Sequence, residues 1–217
     1  MKNLKNPILK LTKKALLITL YVCLVAITGV HASFEDLGMG ARATGMSNAF
    51  TAAANDAYSV YYNPAGLNNL EYPELSSTYG KLLMGLDDDS DLGTSFLVYS
   101  HPLRSSGRSL GTIALAWQEF KLNSMYKENA LYLSYARTIM PRFLFGMNLK
   151  QLRREFGTDA YTENAIDQNG NALGSKDPVF DGGRSKKAFG IDLGFQAKLG
   201  LNDEYVLGLS ILNINQP

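Results

Sequence analysis

Cysteine is almost missing from this chain: among 217 residues there is one, Cys23, and it lies in an apolar run near the start. The rest of the sequence therefore has no disulfide framework and no thiolate metal site. Histidine is nearly as scarce, with His31 and His101 alone. Ser100 precedes His101, and neighbours along a strand point to opposite faces, so the two cannot form a nucleophile–base pair. No Gly-Lys-Ser/Thr phosphate loop occurs. Gly38-x-Gly40-x-x-Ala43 lacks the preceding strand and the βαβ unit that a dinucleotide fingerprint requires. The expectation is a protein that is not an enzyme, with no catalytic residue, no metal and no cofactor.

An excess of one charge is also lacking, with 21 Lys+Arg against 20 Asp+Glu. Five of the lysines, Lys2, Lys5, Lys10, Lys13 and Lys14, crowd the first residues, where there is no acid. Ala15 to Val30 follows as a continuous apolar run, and Val30-His31-Ala32 fits a small-x-small cleavage site before Ser33. The run is shorter than the roughly 20 residues of a spanning helix, so residues 1–32 read as a cleaved secretory signal rather than an anchor. Cys23 has no small-residue neighbours of the lipoprotein kind. Removing the five lysines from 21 leaves 16 cations against 20 acids. A slightly acidic exported protein has no electrostatic case for binding nucleic acid.

What the chain does have is period-two alternation, in seven segments from Leu75 onward and with no convincing helix. In the clearest, Phe189, Ile191, Leu193, Phe195, Ala197 and Leu199 share one face. Gly190, Asp192, Gly194, Gln196 and Lys198 share the other. Ile113, Leu115 and Trp117, then Leu131, Leu133 and Tyr135, then Phe143, Phe145, Met147 and Leu149, repeat the pattern. Tyr205, Leu207, Leu209 and Ile211 close it. Segments 75–84 and 92–101 alternate less cleanly. A soluble sandwich gives the same alternation with its apolar face inward. Large, uniform apolar side chains and strands of about ten residues favour lipid on that face and a transmembrane β-barrel.

The connections alternate in length as well. An acidic loop, Asp87-Asp88-Asp89-Ser90-Asp91, joins the first two strands. It copies the first ligands of a calcium loop but has Leu92 where glycine is needed and no closing Glu, so it reads as solvated. A link of middling length, Pro102 to Arg108, follows. Then come a polar loop near Asn123 to Glu128, a tight turn at Pro141-Arg142, a long loop from Gly157 to Lys187, and a short Asn202-Asp203-Glu204 turn. Asp167 to Asn171 reads as a turn within the long loop. With the first strand starting in the periplasm, the long loops fall outside the cell. Seven strands do not close a barrel of antiparallel pairs, so residues 73–217 read as part of a larger barrel, about 14 strands, or as a truncated product.

Ahead of the strands lies a segment, residues 33–72, rich in Gly, Ala, Ser and Asn. Small side chains permit close backbone approach, as a plug inside a barrel requires. It contains Gly40-Ala41-Arg42-Ala43, Gly45-Met46, Ala49-Phe50, Ala52, Asp56-Ala57 and Tyr61-Tyr62-Asn63-Pro64-Ala65-Gly66-Leu67. This order and spacing resembles the N-terminal signature of the FadL-like outer-membrane proteins, closest to the branch with PorV-type barrels. Asn55 departs from it, standing where the family often has a second acid.

The resemblance implies a bacterial outer-membrane barrel in contact with lipid. In the FadL-like transporters, hydrophobic small molecules pass an N-terminal hatch without covalent chemistry. PorV-type members instead bind secreted proteins as components of a secretion and surface-attachment system, and the shared signature does not choose between the two. The candidate hatch residues are Arg42, expected to pair with an inner-face acid, and the turn Asn63, Pro64, Ala65 and Gly66. In that turn Asn-Pro starts the bend and Gly66 offers positive φ. Lys150, Asp192 and Lys198 fall on the inner face, as satisfied charges or as determinants of pore selectivity.

Overall fold

A computed structural model describes residues 37–82, 92–106, 108–123, 125–157, 164–171, 173–175, 183–200 and 202–217. The expected signal peptide and the acidic 87–91 loop lie outside these residues. From Leu37 the chain opens with two short helices, α1 (Ala41–Gly45) and α2 (Ser59–Tyr62), and a 3₁₀ helix (Pro64–Asn69). Seven strands follow: β1 (Glu74–Leu82), β2 (Leu92–Ser105), β3 (Arg108–Leu122), β4 (Tyr126–Met140), β5 (Phe143–Phe156), β6 (Ser185–Leu199) and β7 (Tyr205–Ile211). They form one antiparallel sheet in sequence order, curled into a half-barrel. Within the described residues β1 and β7 have one neighbour each, so both outer edges are unpaired.

Strands β2 to β6 run 14 or 15 residues, longer than the sequence pattern suggests. The link expected at 102–108 shrinks to residues 106 and 107, because β2 continues through Pro102 to Ser105, which pairs with Arg108. Proline is tolerated there because β1 begins opposite Ser100, leaving Pro102 with a neighbour on one side only. A bulge between Leu103 and Arg104 adjusts the register. The polar stretch 123–128 is likewise mostly strand: β3 ends at Leu122 and β4 starts at Tyr126. Polar composition misleads at both places because the strands extend past their apolar part.

The two faces are inverted relative to a soluble sandwich. The apolar face is the exposed one: Leu133 is 57% exposed and Phe189 71%, and Leu97, Tyr99, Leu115, Leu131 and Leu149 are exposed beside them. The small and polar face is buried, including Thr94, Ser100, Ala114, Ala116, Ser134, Asn148, Asp192 and Gln196. Residues 37–72 cover it. The largest wholly buried side chains are Phe50, Phe96, Met39 and Leu67, three of them from this covering segment. Sequence thus fixes the alternation, and the segment supplies the apolar atoms that the inner face lacks.

Candidate functional site

The Asn63–Gly66 turn sits where the sheet has no side chains. Gly146 on β5 and Gly194 on β6 are directly opposite each other. A Cβ on Gly146 would strike the backbone of Pro64 and Ala65, and one on Gly194 would strike Asn63 and Pro64. Next to them, Gly208 on β7 leaves room for the backbone of Thr51 and Ala52. Three strands therefore present backbone to backbone, an approach that any larger residue forbids. The sequence pattern places Gly146, Gly194 and Gly208 on the inner face but gives no sign of what they receive.

Asn63 is fully buried and works in two directions. Its Oδ1 accepts from the Ala65 amide at 3.2 Å and caps the 3₁₀ helix that Pro64 begins. Its Nδ2 donates to the Thr51 carbonyl at 2.8 Å and the Phe195 carbonyl at 3.1 Å, tying the turn to β6. Gly66 does not take the positive φ expected from sequence; it lies in the 3₁₀ helix. Glycine is needed there because a Cβ would strike the Ala54 carbonyl and the Ser59 hydroxyl.

Gln196, buried on β6, completes this seat. Its Nε2 donates to the carbonyls of Ala54 at 2.8 Å and Ala52 at 3.1 Å, and its Oε1 accepts from Asn69 at 3.0 Å. Sequence reasoning placed Gln196 among inner-face residues without singling it out. A glutamine beside glycines on an otherwise small face was the available signal.

Of the three inner-face charges, the structure brings two together. Lys150 Nζ lies 2.8 Å from Asp192 Oδ1, both almost wholly buried. Asp192 also accepts from Asn148 Nδ2 at 3.0 Å and from the Asn213 amide at 2.8 Å. Asn148 donates a second bond, 2.8 Å, to the Val60 carbonyl of the segment. The cluster thus links β5, β6, the segment and the residues after β7. Lys150 also stands 5.7 Å over the Tyr132 ring. Lys198 is only partly buried and stays outside the cluster; its amide bonds the Arg142 carbonyl at 2.9 Å.

Arg42 makes its ion pair inside the segment. Its guanidinium reaches Asp56 at 3.2 Å and Asn55 Oδ1 at 2.5 Å, and stands 4.9 Å over the Phe50 ring. In place of a lumen acid that would hold the segment to the sheet, the partner is Asp56 of the segment itself, because its fold returns residues 55 and 56 to α1. Burial pushes the Asp56 carboxyl above its ordinary value; Arg42 opposes the rise and Glu74 adds to it. These contacts close a small core of Ala43, Phe50, Ala54 and Tyr62 within the segment.

Over β1 and β2 the segment is held differently. Tyr58 stacks on Phe96 at 5.8 Å, and its hydroxyl meets Thr78 Oγ1 at 2.6 Å. Met39 sulfur accepts from Thr94 at 3.7 Å. Ser100 on β2 and Ser134 on β4 have buried hydroxyls with no hydrogen-bond partner. His101 lies on the outer face with Tyr99, whose hydroxyl is 2.9 Å from His101 Nδ1, while Ser100 is buried inward. Among the described residues no group of three His, Cys, Asp or Glu could hold a metal ion.

No family model, curated protein or solved structure matches this chain.

Proposed function

We propose that the chain is part of an outer-membrane β-barrel that passes hydrophobic small molecules across the outer membrane, with residues 37–72 as the hatch in its lumen. The observation that carries this reading is the inversion of the faces. A sheet whose exposed side is Leu, Phe and Tyr, and whose covered side is Gly, Ser and Asn, suits lipid outside and a filled lumen inside. Long strands agree with it, since 14 residues span about 48 Å and exceed a tilted crossing of a ~25 Å apolar band. The unpaired edges of β1 and β7 would be closed by further strands, because an open edge in lipid leaves amides without partners. In this reading the Gly146–Gly194 seat sets the closed state, and opening shifts the segment over the β1–β3 side.

The test is fractionation of the expressed mature chain together with its gel mobility before and after heating. Outer-membrane fractionation with a heat-dependent shift is expected. Vesicles bearing the protein should then admit a fluorescent fatty acid faster once Gly194 is replaced by Ala. A product that stays dispersed without detergent and shows no shift, even when expressed with any strands that follow in its reading frame, would overturn the proposal.

A further inference from the structure

The outer face carries an ordered charge pattern at the end of the sheet nearest residues 123–125. Strand register lays it out in rows. Lys121, Lys127, Glu155 and Ser185 form the outermost row across β3–β6. Glu119, Asn129, Arg153 and Lys187 form the next, followed by Trp117, Leu131, Gln151 and Phe189. The change from charged to apolar takes a single step.

Two cross-strand pairs in the charged rows are of like sign: Lys121 faces Lys127, and Arg153 faces Lys187. Such neighbours, about 5 Å apart at Cβ, repel one another and weaken a sheet. The nearby carboxylates meet one cation of each pair and leave Lys121 and Lys187 with no ion pair among the described residues. Glu119 is held by Lys127 at 2.6 Å, and Glu155 by Arg153. Arg184 reaches the Gly157 carbonyl at 2.7 Å and lines, with Lys121 and Lys127, a pocket of about 370 Å³. Among the described residues, four cations (Lys121, Lys127, Arg153 and Lys187) thus stand around two carboxylates. Directly below, Leu115, Leu131, Leu133, Leu149, Phe189 and Ile191 line an apolar groove of about 490 Å³.

We propose that these rows bind a phosphorylated lipid of the outer leaflet, its phosphate groups at the Lys121–Lys127 and Arg153–Lys187 pairs and an acyl chain in the groove beneath. A dianionic headgroup removes the repulsion that the like-charge pairs create, and the apolar groove begins one row further along the same strands. The site is distinct from the hatch and lies on the opposite face of the sheet; it rests on the membrane reading given above.

The test uses the mature protein folded in neutral detergent, with lipid A and enzymatically dephosphorylated lipid A as probes and retention read by native mass spectrometry. Wild type should retain the phosphorylated form roughly tenfold better. The double variant K121Q/K187Q should lose that preference while keeping its heat-modifiable mobility and resisting heat at least as well as wild type, since repulsion is relieved. Equal retention of both lipids by wild type, or an undiminished preference in the variant, overturns the site and leaves the barrel standing. Displacement of lipid A by millimolar inorganic phosphate would make it a free-phosphate site and overturn the lipid assignment. Absence of any heat-modifiable form, also when the chain is expressed with any strands that follow in its reading frame, overturns both the site and the barrel.

Discussion

Over β5–β7 the N-terminal segment is fitted backbone to backbone, whereas over β1–β3 it is held by side chains. On the first flank Gly146, Gly194 and Gly208 leave room for residues 51–52 and 63–65, Gln196 and Asn148 donate to carbonyls of the segment, and Asn63 donates to the Phe195 carbonyl of β6. On the second flank an aromatic stack, Tyr58 on Phe96, the Tyr58 hydroxyl at Thr78 and a sulfur contact do the holding. Close backbone approach is a steep function of distance, so the first flank tolerates one geometry. Aromatic faces slide at small cost. Under the proposed hatch reading, β5–β7 would be the pivot and β1–β3 the movable side.

The largest effect should come from the buried charge that anchors the rigid flank. Lys150→Met leaves Asp192 buried without its cation and should cost about 3–5 kcal/mol, read from the urea midpoint of the folded band. A loss below about 1 kcal/mol would mean that Asn148 and Asn213 satisfy the carboxylate alone. Gly194→Ala comes next. Overpacking against Asn63 and Pro64 should cost about 1–3 kcal/mol, whereas Phe96→Leu on the other flank should cost about 1 kcal/mol or less. Equal losses from these two substitutions would erase the contrast between the flanks.

Smaller effects are expected within the segment. Arg42→Ala breaks a pair whose arginine is half exposed, and a change under about 1 kcal/mol is expected in the same denaturation experiment. A larger loss would give Arg42 a hold on the sheet that its contacts do not provide. The smallest concerns pH. Because the Asp56 carboxyl titrates above 3.8 in the fold, its contribution is complete below that value and is lost as pH rises through the folded value. Thermal midpoints of wild type should therefore carry a slight fall from this residue on going from acid to neutral pH. Asp56→Asn should flatten that fall, and an unchanged slope would remove Asp56 as its source.

Much of the fold is legible in the sequence because strand alternation is a local property. Phe189 to Leu199 declares which residues share a face without reference to any other strand. Strand ends are less legible, as Pro102 and the polar residues 127–129 show. Outside the apolar band a strand needs no hydrophobic residue, and a proline is harmless where its neighbour strand has ended. The site was half legible. The Asn63–Gly66 signature marks the turn, but its receiving glycines lie far along the chain, and only the fold shows that Gly146 and Gly194 face each other. The partner of Arg42 was misjudged for a related reason: a charge on a segment says nothing about whether the segment folds back on itself.

The seat on β5–β7 also dictates an order of events. Residues 37–72 leave the ribosome before any strand, yet Asn63 finds its β6 carbonyl 132 positions later. Loops that long close slowly, and contacts of such high sequence separation form late in folding. Until β6 arrives, the segment can use its own small core and the aromatic contacts with β2, both close by in sequence. The β1–β3 flank is thus the nearer dock along the chain, and the glycine seat on β6 the more distant one.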